Sequence, residues 1–163
     1  MRPGDRLPVG EYRDRRDGRL VRLRDQSLGS PVVFVAHGPD CEGCRRYLGE
    51  LAGLDEACRL WDGRRVAFLP DGEGEPVPGE EAGFDPPFPL VAPAGEAARR
   101  LADPGNAALI VADRFGECFH VDEVGPHHHA GLPRGREIES WLRFIAVQCP
   151  ECGVPDSAGD AGR

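Results

Sequence analysis

The unbroken apolar run Pro31-Val32-Val33-Phe34-Val35-Ala36 leads, through His37-Gly38-Pro39-Asp40, into Cys41-Glu42-Gly43-Cys44 and then into an amphipathic segment. A run with no polar alternation suits a strand covered on both faces. From Glu42 to about Leu60, the apolar positions Tyr47, Leu48, Leu51, Leu54, Ala57 and Cys58 recur at spacings of three and four, which predicts one helix with a single buried stripe. A buried strand that feeds a helix through Cys-x-x-Cys commits the chain to α/β layers and puts the first sulfur at a helix N-terminus. There the free backbone N–H groups and the positive end of the helix dipole favour thiolate over thiol, while the carboxylates of Asp40 and Glu42 oppose it. A dithiol/disulfide exchange centre needs this junction.

The rest of the chain supplies layers for such a sheet. Residues 1–18 read as an irregular polar lead-in, and Leu20–Leu23 as a short edge strand. Val66–Leu69 reads as a second buried strand stopped by Pro70-Asp71-Gly72, and 71–89 as a long Gly/Pro/Glu loop that either covers the Cys pair or is a solvated insertion. Ala94–Ala102 suits a short helix. Ala107–Ala112 and Glu117–Asp122 suit two strands of a hairpin, with Gly116 closing the turn. Ile138, Trp141, Leu142 and Ile145 share one helical face, so 135–148 reads as an amphipathic helix running into Cys149-Pro150-Glu151-Cys152.

A chain of 163 residues, 40% hydrophobic, has the size of one domain with a real core, expected over 1–153 with a polar tail at 154–163. The net charge of −8, with every cation an Arg, argues against nucleic acid as a partner. Without an apolar leader, and without a run approaching the roughly 18 apolar residues of a membrane span, the expectation is a cytoplasmic protein that does not contact a membrane. In a reducing compartment the six cysteines read as catalytic, metal-binding or core residues, not as a disulfide framework.

The order of elements around Cys41-x-x-Cys44, with Gly18-Arg19-Leu20-Val21-Arg22-Leu23-Arg24-Asp25, Phe88-Pro89-Leu90-Val91 and Ala108-Leu109-Ile110-Val111-Ala112-Asp113-Arg114-Phe115-Gly116-Glu117, resembles the thioredoxin-like superfamily, in its redoxin or peroxiredoxin-like branch, over about residues 4–148. The resemblance implies a mixed sheet of about four or five strands flanked by helices, and a thiol-disulfide oxidoreductase that needs no organic cofactor. It further implies a protein or small-molecule disulfide or thiol as substrate and a separate electron donor. Two positions depart from the family. Ala107 stands where a cis-proline usually faces the Cys pair, and Phe34 and Gly38 stand where peroxiredoxins carry Pro and Thr or Ser, which places exchange ahead of peroxidase activity.

Cys41 is the candidate nucleophile and Cys44, one helical turn on, the resolving thiol. Cys149 and Cys152 have the composition of a zinc knuckle, a second redox pair or an incidental pair; two thiolates are half of a structural zinc site. In the topology that the resemblance implies, the last helix starts near the Cys pair and runs away from it, so fourteen residues carry Cys149 about 20 Å from Cys41, which disfavours a shared site within one chain and leaves open a metal bridging a homodimer. The alternative function is thus a zinc-binding or redox-sensing module. Of the imidazoles, His37 adjoins the Cys pair in sequence. His127-His128-His129 reads first as a solvated loop at the Cys41 end, and otherwise as a source of one imidazole for the Cys41 thiolate or for a metal. His120, Cys58, Cys118, Trp61 and Trp141 read as structural.

Overall fold

Five strands form the central sheet that the apolar runs require. The computed structural model describes residues 1–38, 41–69, 86–91, 95–126 and 128–148. Strand β1 (Glu11–Arg13) pairs antiparallel with β2 (Leu20–Arg22) in a separate ribbon. Then follow β3 (Ser30–Val35), helices α1 (Glu42–Ala52) and α2 (Asp55–Leu60), β4 (Gly63–Phe68), β5 (Leu90–Val91), α3 (Gly95–Leu101), β6 (Ala107–Ala112), β7 (Cys118–Val124) and α4 (Gly135–Val147). The sheet order is β5-β4-β3-β6-β7, with β3, β4 and β5 parallel and β6 and β7 antiparallel to their neighbours. This is the expected mixed sheet.

The period of two along β3 sorts its side chains between two cores. Val32 and Phe34 join Leu109 and Val111 of β6 against Leu48 and Leu51 of α1, Cys58 of α2, and Ile138 and Leu142 of α4. Val33 and Val35 join Phe68 and Ile110 against Leu101 of α3 and against Leu7, Val21 and Leu23 from the N-terminal region. Because both faces are covered, all six residues of β3 and all six of β6 are buried.

Three departures from the sequence expectation have physical causes. The single helix expected over 42–60 breaks at Gly53-Leu54 into α1 and α2. Arg65, buried in β4, fills the break: it donates to the carbonyls of Leu51 (2.7 Å) and Ala52 (3.0 Å) at the end of α1 and pairs with Asp55 at the start of α2. Strand β4 begins at Gly63, three residues before Val66, because its early residues lie parallel to Ser30 and Pro31 of β3. The lead-in is not wholly irregular either. Within it, β1 places Tyr12 edge-on to Phe68, with ring centroids 5.0 Å apart, and Asp14 bridges to Val91 of β5.

The expected hairpin turn is present. The Asp113 side chain accepts from the amides of Phe115 (2.9 Å) and Glu117 (2.8 Å), and Gly116 takes φ +86°, which its missing Cβ permits.

Asp14 is 1% exposed and grips Arg16 through both oxygens, at 3.0 and 2.7 Å, while Arg16 donates onward to the Pro86 carbonyl at 2.6 Å. Burial acts to raise the Asp14 pKa, but the hydrogen bonds from the Arg16 side chain and amide outweigh it and hold the carboxyl below its ordinary range. A depressed carboxylate contributes stability in full above the unfolded value, near pH ~3.9, and loses it as pH falls through the lower folded value. Asp14→Asn is therefore expected to cost about 2 kcal/mol at pH 7. Its urea midpoint should converge on that of the unaltered protein as the pH is lowered from about 4.

Candidate functional site

The carboxyl end of β3 brings His37 to the start of α1, at the carboxyl ends of the parallel strands β3, β4 and β5, where such folds keep their sites. Cys41 is the N-cap of α1, in extended conformation, and the Cys44 amide donates to its Sγ at 2.9 Å. The expected junction of strand, Cys-x-x-Cys and helix is thus present, with one of the orphan amides of the first turn satisfied by sulfur. Cys41 is half-buried and Cys44 fully buried, and both are free thiols. Burial, and after it the neighbouring Cys41 sulfur, push the Cys44 thiol far above its ordinary pKa.

The second contribution comes from far along the chain. After β7 a short turn at His129–Gly131 leads into α4. Three contacts tie this segment to neighbouring structure: the Tyr47 hydroxyl donates to the Pro133 carbonyl at 2.7 Å, Arg134 pairs with Glu50 of α1 at 3.2 Å, and Glu137 reaches back to the Arg134 amide at 2.7 Å. So anchored, His129 turns its Nε2 toward the cysteines, 3.2 Å from Cys41 Sγ and 3.4 Å from Cys44 Sγ. His37 Nδ1 closes the group at 3.4 Å from Cys44 Sγ and 3.1 Å from His129 Nε2. These four donor atoms all lie within 4.8 Å of one another.

Gly43 is what lets the His129 ring in. A Cβ on Gly43 would stand 2.5 Å from His129 Nδ1, so the middle of Cys-x-x-Cys is glycine where an imidazole must approach the helix backbone. The solvated loop expected at 127–129 is corrected for His129, which is held against α1; His128 is exposed and His127 lies outside the described residues. Sequence spacing left the choice among the imidazoles open, and the Gly in Cys41-Glu42-Gly43-Cys44 was the one local signal that something packs there.

His120 stacks on Trp141, with centroids 5.0 Å apart, and pairs with Asp122 at 2.8 Å. Cys58 and Cys118 are buried in opposite cores, and burial pushes both thiols up, Cys118 to about 11. Cys149 and Cys152 lie outside the described residues. The last described residue, Gln148, lines a cleft with Ser30 and Asp62, where β3 and β4 begin. That is the end of the sheet away from Cys41. Two other clefts border the Cys–His cluster, one beside His37 lined by Ala98, Arg99 and Asn106, the other beside His129 lined by Gly43, Arg46 and Arg134. Among the described residues no helix is long and apolar enough to cross a membrane.

No protein-family model and no curated protein matches the chain. Solved structures do match it. Peroxidoxin BcpB from Mycobacterium tuberculosis superposes with a TM-score of 0.66 at 21% identity, covering 89% of this chain and 98% of that one. Peroxiredoxin Q from Xanthomonas campestris gives 0.68 at 14% identity, covering 89% and 99%. The thioredoxin domain of a thiol-disulfide oxidoreductase from Bacteroides vulgatus gives 0.62 at 17% identity, covering 89% and 99%. With its mixed five-stranded sheet and flanking helices, the chain has the thioredoxin-like fold, in the form that these peroxiredoxins and thiol-disulfide oxidoreductases share.

Proposed function

We propose that the protein is a thiol-disulfide oxidoreductase in which Cys41 attacks and Cys44 resolves. The observation that carries this reading is the half-buried Cys41 sulfur, capping α1 with His129 Nε2 3.2 Å away and a buried second thiol one turn on. In the forward reaction the Cys41 thiolate attacks one sulfur of a substrate disulfide, forming a mixed disulfide and expelling the other sulfur as a thiolate. Cys44 then gives up its proton and attacks Cys41 Sγ, which forms the Cys41–Cys44 disulfide and releases the remaining substrate thiolate. A dithiol donor, running the same two exchanges in reverse, restores the reduced pair.

The two imidazoles have separate tasks in this scheme. His129 is placed to take the Cys41 proton. His37 Nδ1, 3.4 Å from Cys44 Sγ, is placed to take the proton from a thiol that burial keeps neutral. The substrate is a protein or small-molecule disulfide approaching through the clefts beside His37 and His129, and the reducing cytoplasm supplies the donor. Phe34 and Gly38, at the positions where a peroxidatic site needs other residues, favour exchange over peroxide reduction.

Limiting iodoacetamide at neutral pH is expected to modify Cys41 first and to reach Cys44 only after unfolding, as read by peptide mass. Labelling of Cys44 ahead of Cys41 would reverse the assigned roles.

A further inference from the structure

From the four convergent donors we infer that the reduced protein binds one zinc ion through His37 Nδ1, Cys41 Sγ, Cys44 Sγ and His129 Nε2. The inference rests on those donors and not on the exchange chemistry.

All four donor atoms face one point. His129 Nε2 has three polar neighbours, at 3.2, 3.4 and 3.1 Å, yet an imidazole nitrogen offers one in-plane lone pair or one N–H. If each thiol donates to one neutral ring, Cys41 to His129 and Cys44 to His37, both facing lone pairs are used. A cation at the centre converts every one of these lone pairs into a bond.

The spacing also fits a particular ion. Zinc bonds of about 2.3 Å to sulfur and about 2.0 Å to nitrogen, at tetrahedral angles, put S···N edges near ~3.5 Å and the N···N edge near ~3.3 Å. Three of the four S···N separations here are 3.2, 3.4 and 3.4 Å, the N···N separation is 3.1 Å, and the remaining pairs of donors lie within 4.8 Å. On these edges the donors stand slightly closer together than zinc holds them, so binding spreads them by a few tenths of an ångström. Two thiolates and two imidazoles select zinc over calcium or magnesium, whose ligands are oxygens. Four protein ligands close the coordination sphere, so the site is of the structural or storage kind and leaves no place for an activated water.

Three separate pieces of the fold hold the donors: the end of β3, the first turn of α1, and the 128–134 turn that Tyr47 and Glu50 anchor. Gly43 completes the fit by admitting His129. A Cys41–Cys44 disulfide removes both thiolates, so zinc occupancy and oxidation exclude each other, and bound zinc masks the nucleophile.

The test is titration of reduced, metal-stripped full-length protein with zinc against a chromophoric chelator, with cobalt(II) as a spectroscopic substitute. One zinc per chain with a dissociation constant of about nanomolar or tighter is expected. The cobalt form should give the intense visible bands and thiolate charge-transfer band of a tetrahedral site. His37→Ala and His129→Ala should each weaken zinc at least about 100-fold, and Gly43→Ala, which keeps all four ligands, about 10-fold or more. Cys149→Ser with Cys152→Ser should leave affinity and stoichiometry unchanged. Weak octahedral cobalt bands in the unaltered protein, full affinity after loss of both imidazoles, or zinc lost with Cys149 and Cys152 would each overturn the inference, and the cobalt spectrum needs no variant to fold. Disulfide exchange by the zinc-free protein, measured in parallel, separates failure of the metal site from failure of the exchange chemistry.

Discussion

Cys41→Ser is expected to lower disulfide-exchange turnover by on the order of 10³-fold or more, whereas Cys44→Ser should complete the first step and stop with substrate held on Cys41. A serine hydroxyl at the N-cap still accepts the amide bond that Cys41 Sγ accepts from Cys44, so the helix start survives while the nucleophile does not. Cys44 is buried, and its Sγ faces Cys41 and the two imidazoles. Its loss therefore spares attack and removes release. Turnover of a small aromatic disulfide and the intact mass of the Cys44→Ser adduct distinguish the two variants. Unaltered turnover by Cys44→Ser, with no adduct, would remove Cys44 from the reaction.

Phe34→Ala is expected to destabilise the fold by about 3–5 kcal/mol, the cost of emptying a fully buried aromatic site. Phe34 is 0% exposed in β3, the strand with β4 on one side and β6 on the other, so little can collapse into the space it leaves. Its ring lies 5.0 Å from that of Tyr47, whose hydroxyl holds the Pro133 carbonyl. The same substitution thus loosens the anchor of the His129 turn. Chemical denaturation should show the lost stability, and the variant, while still folded, should share the weakened zinc affinity of His129→Ala. A loss below about 1 kcal/mol would mean that β3 is not the centre of the core.

What the sequence made legible follows from the range of the forces involved. The buried strand, the Cys-x-x-Cys at its end and the helix stripe beyond are set by neighbours in the chain, and β3, Cys41 at the N-cap and α1 lie where the pattern of residues 31–51 put them. Hairpin and last helix were readable for the same reason, through Asp113, Gly116 and the Ile138, Leu142, Ile145 face. The helix break at Gly53 was harder, since the group that fills it, Arg65, comes from another element. Strand β1 was invisible because it owes its place to contacts of Tyr12 with Phe68 and of Asp14 with Val91. The Cys–His cluster was half legible. Both cysteines and His37 adjoin one another in sequence, but His129 lies 88 residues from Cys41, and its position depends on Tyr47, Glu50 and the space at Gly43. Periodicity carries no information about such a meeting.

Whether Cys41 and Cys44 form a working dithiol is read by equilibrating the zinc-free protein in glutathione buffers of graded potential and following the Cys41–Cys44 bond by peptide mass. A disulfide that forms and opens reversibly, with a midpoint between roughly −270 and −200 mV, is the expected result. No Cys41–Cys44 disulfide at any potential in the series would contradict it.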